Sequence, residues 1–413
     1  MYENKLVETP VKAVLASVDT GEFDAETSMN ELAELAETAN AEVVGRVIQK
    51  KNEYDSATCM GSGRLEELKN QIAELNAELL IFDHELTGVQ TRNIENIVEV
   101  RVIDRTTLIL DIFAQRARTK EGKLQVELAQ QKYRLPRLTG LGTALSRLGG
   151  GIGTRGPGET KLETDKRHIR KRISYLEDEL KELKKHRDFS RSRRKKDSIL
   201  CASIVGYTNV GKSTLLNALT DAGVLAENKL FATLDTTSRS LEIPDGRSIM
   251  LIDTVGLISR LPHNLVEAFK STLEEASASD IILHIQDLSS SHMDEQEKVT
   301  QNLLSELGCD GIPKINVMNK SDIAINPVYE NDTTVAISAK NKTGFERLLE
   351  CISKNLPETS KRMNLLIPYA ETSFLNKIRI DGKVFSEEYA ENGIIVDALV
   401  DIKLVSRAEN FTI

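Results

Sequence analysis

The chain has 413 residues, which is long for a single hydrophobic core and favours two or three domains. It is 40% hydrophobic and 28% charged, as soluble globular proteins are, and its net charge of −9 by itself argues against nucleic acid as a partner. Four widely spaced cysteines without a CxxC pair and six histidines without an HExxH motif exclude a sequence-evident zinc site or disulfide framework.

Residues 1–105 alternate between strand and helix patterns. Strands are predicted for VKAVLASV, AEVVGRVIQ, AELLIFD and VRVID, and helices for SMNELAELAETAN, GRLEELKNQIAEL and TRNIENIV. Ser28 and Glu31 have the spacing of a capping box at the start of the first helix. The alternation predicts a small N-terminal α/β domain with a largely parallel sheet.

Residues 106–197 read as helical. TLILDIFAQRARTKEGKLQVELAQQKYRL predicts a helix broken near Gly122, and the glycine-rich stretch GGGIGTRGPGETKLETDKR leads into a long charged helix. Apolar residues repeat in that helix with 4-3-4-3 spacing, which indicates a coiled-coil seam that the earlier helix should cover in antiparallel fashion. The seam consists of Ile169, Ile173, Leu176, Leu180 and Leu183.

Positive charge is concentrated in the same helix. The segment from Lys161 to Asp197 holds 15 Lys and Arg against 8 Asp and Glu, a net charge of +7, so the rest of the chain carries −16. A basic segment within an acidic protein indicates binding to a polyanion. A solvated helix face with ion pairs four residues apart is the alternative interpretation.

Residues 198–357 contain the motifs that carry chemistry. SILCASIVG predicts a strand, and YTNVGKSTLLNALT follows with the P-loop pattern Gly206-x-x-x-x-Gly211-Lys212-Ser213. Glycines allow backbone N–H groups to surround phosphates at a helix N-terminus. Lys212 is expected to reach the β- and γ-phosphates, and Ser213 to bind Mg²⁺.

Three further motifs follow strands in the order of a G domain. Asp253-Thr254-Val255-Gly256 is the DxxG motif, in which Asp253 would hold Mg²⁺ through water and the Gly256 N–H would sense a γ-phosphate. In Asn319-Lys320-Ser321-Asp322, the Asp322 carboxylate can accept from guanine N1–H and the 2-amino group. Ser338-Ala339-Lys340 would support the base. The alternative is a P-loop fold that binds ATP or no nucleotide, but such a fold gives no reason for this order of motifs.

The segment LFATLDTTSR, residues 230–239, lies where G domains supply a threonine to Mg²⁺, and we name it the threonine switch. Thr236 and Thr237 also qualify chemically, but we choose Thr233. The predicted nucleotide-binding residues are Gly206, Tyr207, Thr208, Asn209, Val210, Gly211, Lys212, Ser213, Thr214, Phe231, Ala232, Thr233, Asp253, Thr254, Val255, Gly256, Asn319, Lys320, Ser321, Asp322, Ser338, Ala339 and Lys340.

The fold class expected is therefore α/β: a P-loop G domain with a mixed, mostly parallel sheet, preceded by a small α/β domain and a helical coiled-coil hairpin. The predicted boundaries are 1–105, 106–197, 198–357 and, for a small C-terminal α/β segment, 358–413. No signal peptide or run of about 18 apolar residues is evident, so we expect a cytoplasmic protein without a membrane span, acting as a monomer.

The chain resembles the HflX family of translation-associated GTPases, which are related to Obg-type and Era-type proteins. The resemblance covers about residues 10–405 and is carried by the glycine-rich stretch, by VVGRVIQKKNEYDSATCMGSGRLEEL, and by GYTNVGKST, FATLD and DTVG. The chain departs from the family pattern in three places. Residues 59–63 read Cys-Met-Gly-Ser-Gly instead of Tyr-Ile-Gly-Lys-Gly, Leu257 replaces Phe after DTVG, and residues 235–237 read Asp-Thr-Thr instead of Asp-Pro-Thr.

The resemblance implies a GTP hydrolase that binds the large ribosomal subunit and splits or recycles stalled or idle ribosomes. The alternative is a GTP-dependent regulatory switch that acts on RNA or protein without splitting ribosomes. The ribosomal function implies that the polyanion bound by the basic segment is ribosomal RNA, whose backbone would be contacted through its phosphates. The predicted RNA contacts are Arg155, Lys161, Lys166, Arg167, Arg170, Lys171 and Arg172.

The catalytic residue is not evident from the sequence. Ras-type GTPases orient the attacking water with a glutamine just after DxxG, and here that position holds Leu257, which has no hydrogen-bonding group. Related GTPases with asparagine at the position of Asn209 hold a K⁺ ion against the phosphates. The resemblance therefore implies K⁺ as a cofactor besides Mg²⁺.

Overall fold

A computed structural model describes residues 10–138, 161–196, 199–220, 230–231, 236–262, 265, 274–325 and 329–413. The chain forms two compact units. The first comprises Met1–His186, Glu227–Asp235 and Ile258–Ser271, and the second comprises Arg187–Ala226, Thr236–Leu257 and Thr272–Ile413. Among the described helices, none is long and apolar enough to span a bilayer.

The first unit contains a four-stranded parallel sheet. Its strands are β1 (Val11–Asp19), β2 (Ala41–Lys50), β3 (Leu79–Phe82) and β4 (Arg101–Asp104), in the spatial order β2-β1-β3-β4. In β1, all residues from Ala13 to Ala16 are buried, as expected of a strand covered on both faces. The four predicted strands and their parallel arrangement are confirmed.

Helices α1 (Ala25–Thr38), α2 (Ser62–Glu74) and α3 (Gly88–Val98) connect these strands. The predicted capping box is wrong. Asp24 is the N-cap of α1, because its Oδ1 accepts hydrogen bonds from the N–H groups of Glu26 and Thr27 at 3.0 and 3.3 Å. The helix thus begins one turn earlier, and Ser28 is a buried helical residue that donates to Asp83 Oδ2 over 2.7 Å.

Helix α4 (Arg105–Arg116) follows β4 directly, and α5 (Lys120–Arg137) comes next. The break between them lies at residues 117–119, not near Gly122 as predicted. Thr119 is the N-cap of α5, and its hydroxyl oxygen accepts from the Gly122 N–H over 2.9 Å. The glycine therefore lies in the first turn of the helix, where its backbone follows a cap.

Helix α6 (Lys161–Lys196) is the predicted charged helix. Of its seam residues, Leu176 is fully buried and the other four are partly buried, whereas most neighbouring residues are exposed. Ion pairs join α6 to α5: Lys120 with Glu179 at 2.8 Å, and Arg172 with Glu127 at 2.6 Å. Residue numbers rise along one helix as they fall along the other, so the predicted antiparallel pairing is confirmed.

The second unit contains a six-stranded sheet in the order β10-β9-β8-β5-β7-β6, in which β6 runs antiparallel to β7 and the other pairs are parallel. The predicted mixed, mostly parallel sheet is confirmed. Its strands are β5 (Leu200–Gly206), β6 (Thr237–Glu242), β7 (Ser248–Asp253), β8 (Ile281–Asp287), β9 (Lys314–Asn319) and β10 (Thr334–Ala336). The accompanying helices are α7 (Lys212–Thr220), α8 (Met293–Glu306) and α9 (Phe345–Asn355).

The end of the chain forms a three-stranded antiparallel sheet in the order β11-β13-β12. Its residues share a core with two helices, and Leu365, Phe374 and Val396 are fully buried in it. The elements are β11 (Ser360–Ile367), α10 (Thr372–Asp381), β12 (Lys383–Ala390), β13 (Gly393–Asp401) and α11 (Ile402–Ala408).

His284, on β8, predicts an acid sensitivity of the second unit. Burial lowers the pKa of His284 to about 4, whereas an unburied histidine titrates near pH 6.5. Between these two values only the unfolded chain takes up the proton, so stability falls as pH is lowered from 6.5 towards 4. The cost at pH 5 is about 2 kcal/mol.

Urea unfolding of wild type and His284→Gln at pH 7 and pH 5 measures the contribution of His284 to the loss of stability in acid. We expect the variant to lose about 2 kcal/mol less than wild type between the two pH values. Equal losses would show that His284 is not the source.

Candidate nucleotide site

The four predicted nucleotide loops lie at one edge of the six-stranded sheet. They follow β5, β7, β9 and β10, which are mutually parallel, so their carboxyl ends share that edge. Open α/β sheets bind their ligands at this edge. The arrangement therefore brings together motifs that are more than 100 residues apart in the chain.

The two P-loop glycines are required by close approaches. A Cβ on Gly206 would lie 2.3 Å from the Ile285 carbonyl oxygen, and one on Gly211 would lie 2.3 Å from Asn319 Nδ2. Gly211 also has a φ of +96°. Asn209, between them, is exposed and has a φ of +61°, a left-handed conformation that asparagine tolerates better than most residues.

Lys212 is folded over the P-loop backbone. Its Nζ donates to the carbonyl oxygens of Tyr207 at 2.6 Å and Gly206 at 3.1 Å, and the residue is 6% exposed. Burial lowers the pKa of Lys212 to about 8, while the Asp253 carboxylate opposes that change. A phosphate group beside this ammonium would supply the negative charge that favours its protonated form.

Ser213 and Asp253 fit a magnesium site. Ser213 Oγ donates to Asp253 Oδ2 over 2.8 Å, and Asp253 is fully buried at the end of β7. A hydroxyl and a carboxylate oxygen at the phosphate end of a P-loop are the donors that Mg²⁺ uses in this class of protein. These residues would hold the ion, which would screen the charge of the phosphates.

The threonine predicted to bind Mg²⁺ lies in a part of the threonine switch that the structure does not describe. Ala232 and Thr233 lie outside the described residues, so the choice of Thr233 stays a prediction. Thr236 is exposed, and the backbone of Thr237 begins β6, opposite Asp253.

Asn319 joins three of the loops. Its Nδ2 donates to the Val210 carbonyl oxygen over 2.7 Å, and its Oδ1 accepts from the Ala339 N–H over 2.9 Å. Asn319 thus fixes the P-loop and the Ser338-Ala339-Lys340 loop relative to β9. Asp322, the carboxylate of the same motif, is exposed and lies beyond the end of β9.

Lys320 forms an ion pair with Asp287 at 2.6 Å, and its φ is +62°. Asp287 ends β8 at the same edge of the sheet but is not part of a predicted motif. The one feature of the sequence that could have pointed to Asp287 is its position at the end of an apolar run. Ser338 is fully buried and its hydroxyl oxygen accepts from the Asn341 N–H over 3.2 Å.

The DxxG segment is attached to β5 and the P-loop through backbone atoms. Thr254 Oγ1 donates to the Ile204 carbonyl oxygen over 2.7 Å, so this hydroxyl supports the sheet. Leu257 N–H donates to the Gly206 oxygen at 3.2 Å, and the Leu257 oxygen accepts from the Thr208 N–H at 2.7 Å. The Leu257 side chain is buried and apolar, so the group that orients water must come from elsewhere.

The other predicted nucleotide contacts adjoin these groups. Val210 and Val255 are buried, Thr214 lies in the first turn of α7, and Ser321 and Lys340 follow β9 and β10. The assignment of individual nucleotide contacts stays a prediction.

Six of the seven predicted RNA-contacting residues, all except Arg155, lie in the first turns of α6. Arg167, Arg170 and Lys171 are exposed and Lys166 is partly buried. Arg172 forms a bidentate pair with Glu127 at 2.6 and 2.8 Å, so part of its charge is neutralised within the hairpin. Arg155 and the side chain of Lys161 lie outside the described part of the chain.

Three family models match the chain along its length. Residues 26–114 match the GTP-binding GTPase N-terminal region, 116–194 the GTP-binding GTPase middle region, and 201–320 the 50S ribosome-binding GTPase model. A GTPase HflX of Caldanaerobacter subterraneus subsp. tengcongensis is 54% identical over 402 residues, which cover 97% of this chain and 94% of that protein. The chain belongs to the HflX family of GTPases. It is therefore a GTP hydrolase.

Another protein of the HflX family and a solved structure of a GTP-binding protein also match most of the chain. A GTPase HflX of Lacrimispora saccharolytica is 50% identical, with 98% of this chain and 97% of that protein covered. A crystal structure of a GTP-binding protein from Sulfolobus solfataricus in complex with GDP is 26% identical, covers 84% of this chain and 98% of that chain, and has a TM-score of 0.46.

Proposed function

We propose that this GTPase binds the large ribosomal subunit in its GTP form and separates stalled or idle ribosomes in the cytoplasm, acting as a monomer. The observation that carries the proposal is the exposed basic start of α6, which directly follows the glycine-rich stretch of an HflX-family chain. The match of residues 201–320 to a model described as a 50S ribosome-binding GTPase supports it.

The nucleotide would be held by the loops described above. The P-loop N–H groups and Lys212 would bind the phosphates, and Ser213, Thr233 and, through water, Asp253 would hold Mg²⁺. The Gly256 N–H would respond to the γ-phosphate, and Asp322 would select guanine. Neutralising the β- and γ-phosphates stabilises the charge that develops as the terminal phosphoryl group is transferred to water.

The basic residues of α6 would contact RNA through phosphates. Arginine and lysine at an exposed helix start can bind the RNA backbone without reading its sequence. The rest of the chain carries a charge of −16, and this negative charge would be repelled by RNA phosphates. The ribosome is therefore approached through one end of α6 and the glycine-rich stretch.

Light scattering of intact ribosomes tests the splitting activity. With GTP or a non-hydrolysable analogue, the protein is expected to lower the scattering of ribosomes, and with GDP it is not. Binding to the large subunit without a fall in scattering would replace splitting with the alternative function, a GTP-dependent regulatory switch.

A further prediction concerns K⁺ and Asn209. We expect GTP hydrolysis to be slow in the isolated protein, to be faster in K⁺ than in Na⁺, and to rise when large subunits are added, because a fixed cation would face the developing charge. Asn209→Gly removes the side chain but keeps the left-handed backbone, which alanine would strain. The variant should lose the difference between the two salts.

Turnover measured in KCl and NaCl for both proteins decides this point. Equal wild-type rates in the two salts would remove the K⁺ proposal. A rate that does not respond to large subunits would remove ribosomal activation.

A further inference from the structure

The side chain of Thr208 is a polar group of the P-loop for which the structure provides no partner among the described residues. Thr208 is the third residue of the P-loop pattern and is 5% exposed. Its Oγ1 is buried, and no described residue forms a hydrogen bond with it. A buried hydroxyl without a partner costs free energy, so its retention indicates a partner that arrives with the nucleotide.

The backbone at this position does not require a threonine. The Thr208 N–H donates to the Leu257 carbonyl oxygen over 2.7 Å, a bond that every residue except proline can make. The left-handed positions of the P-loop are Asn209 and Gly211, and Thr208 is not one of them. Packing does not explain the hydroxyl either, because valine has nearly the same shape and would bury no polar atom.

Thr208 lies against the residue that would sense the γ-phosphate. A Cβ placed on Gly256 would be 2.8 Å from Thr208 Cγ2 and 3.1 Å from Thr208 Cα, so the two residues are in close contact. The same Cβ would lie 3.1 Å from Lys212 Nζ. Thr208, Gly256 and Lys212 thus converge on one point, which is where the proposed site holds the terminal phosphoryl group.

The ammonium group of Lys212 lies over this point in the structure. It donates to the carbonyl oxygens of Gly206 and Tyr207, and it must leave both of them to reach the phosphates. Because Lys212 Nζ is close to Gly256, its departure opens the space beside Gly256 and Thr208. Rotation of the threonine side chain between its staggered conformations then lets Oγ1 face the bound nucleotide.

The residue after the DxxG motif cannot orient the attacking water. Ras-type GTPases have a glutamine there, whereas Leu257 is apolar and 3% exposed. Leu257 and Thr208 are neighbours, because the backbone hydrogen bond joins them. A hydroxyl has one donor and two acceptor lone pairs, which suffice to hold a water molecule and a phosphate oxygen together.

We propose that Thr208 is a catalytic residue of GTP hydrolysis, whose hydroxyl holds the attacking water against the γ-phosphate. Oγ1 accepts a hydrogen bond from the water and donates one to a γ-phosphate oxygen. The water oxygen forms a bond to phosphorus while the bond to the β–γ bridging oxygen breaks, and that electron pair leaves with GDP. One proton of the water passes to the phosphate, and Thr208 ends the step unchanged. The proposal rests on the nucleotide site proposed above and does not depend on ribosome binding.

Thr208→Val keeps the shape of the side chain and removes its hydroxyl. We expect kcat to fall about 100-fold, which is typical of the loss of one hydrogen bond to the reacting groups. KM and the affinities for GTP and GDP should change little, because the contact with the attacking water is made in the transition state. Thr208→Ser keeps the hydroxyl and should retain most of the wild-type kcat.

Thermal unfolding separates this role from a structural one. Removal of a buried hydroxyl that has no partner should stabilise the nucleotide-free protein, so we expect the Tm of Thr208→Val to rise by about 2 °C. Thr300→Val is the matched control, because Thr300 is 1% exposed on α8 in the same unit and donates to the Gln296 carbonyl oxygen over 3.0 Å. The control should keep the wild-type kcat and gain no stability.

Single-turnover hydrolysis and the binding of GDP with aluminium fluoride, both measured in KCl without ribosomes, test the proposal. Aluminium fluoride beside GDP imitates the phosphoryl group in transfer, so Thr208→Val should bind that complex about 100-fold more weakly than wild type while binding GDP equally. An unchanged hydrolysis rate in a Thr208→Val protein that binds GTP would overturn the proposal. An equal loss of rate in Thr208→Ser would overturn it as well.

Pelleting with large ribosomal subunits keeps this test apart from that of the proposed function. Thr208→Val should pellet with the subunits as wild type does when a non-hydrolysable GTP analogue is present, because binding requires the nucleotide and not its hydrolysis. Failure of the wild-type protein to pellet would refute the ribosomal function and leave the role of Thr208 in hydrolysis standing.

Discussion

Replacing Asp322 with asparagine is expected to lower the affinity for GTP by about four orders of magnitude and to admit xanthosine triphosphate. The carboxylate of Asp322 accepts from two guanine donors, and a site that leaves such groups unpaired rejects its ligand by this factor. The asparagine amide can donate to the 2-oxo group of xanthine, which the carboxylate cannot. Asp322 is exposed, so the substitution should leave the fold intact.

Equilibrium titration of wild type and variant with both nucleotides measures this exchange. Asp294→Asn is the matched control, because Asp294 is an exposed aspartate on α8 in the same unit. That control should bind GTP as wild type does. Tight binding of ATP by wild type would contradict the assignment of Asp322.

Reversing the charges of Arg167, Arg170 and Lys171 is expected to weaken binding to the large subunit by about two orders of magnitude or more. Each phosphate contact releases counterions, so the wild-type affinity should also fall steeply with salt. Arg172 is left unchanged, because a glutamate there would face Glu127 and disturb the pairing of α5 with α6. GTP binding should be unaffected.

Pelleting with large subunits at two salt concentrations measures the loss. A control with the same change in net charge reverses three exposed lysines of the C-terminal sheet and its helices: Lys361, Lys377 and Lys403. The control should bind nearly as wild type does. Equal binding by both variants, with their folds verified, would remove α6 as the RNA contact.

The strands and the nucleotide loops could be predicted because their signals are local. Apolar runs such as that in β1 end at turn residues, and the G-domain motifs follow strands in a fixed order. The sequence could not show that Asn319 ties Val210 to Ala339, because these contacts connect residues 20 and 109 positions apart. The four domain boundaries stay predictions.

The capping error shows how local patterns can compete. Asp24 and Ser28 both suit an N-cap, and Ser28 has the correct spacing to Glu31, so the sequence favoured the wrong residue. In the structure, Ser28 donates to Asp83, and Glu31 accepts from Arg105 and Ser259. Such long-range partners leave no periodic signal in the chain.

Co-sedimentation of the wild-type protein with purified large ribosomal subunits tests the central claim most directly. The protein should pellet with the subunits when a non-hydrolysable GTP analogue is present, and much less with GDP or without nucleotide. Equal pelleting in all three conditions would contradict GTP-dependent binding. No pelleting in any of them would contradict the ribosome as the partner.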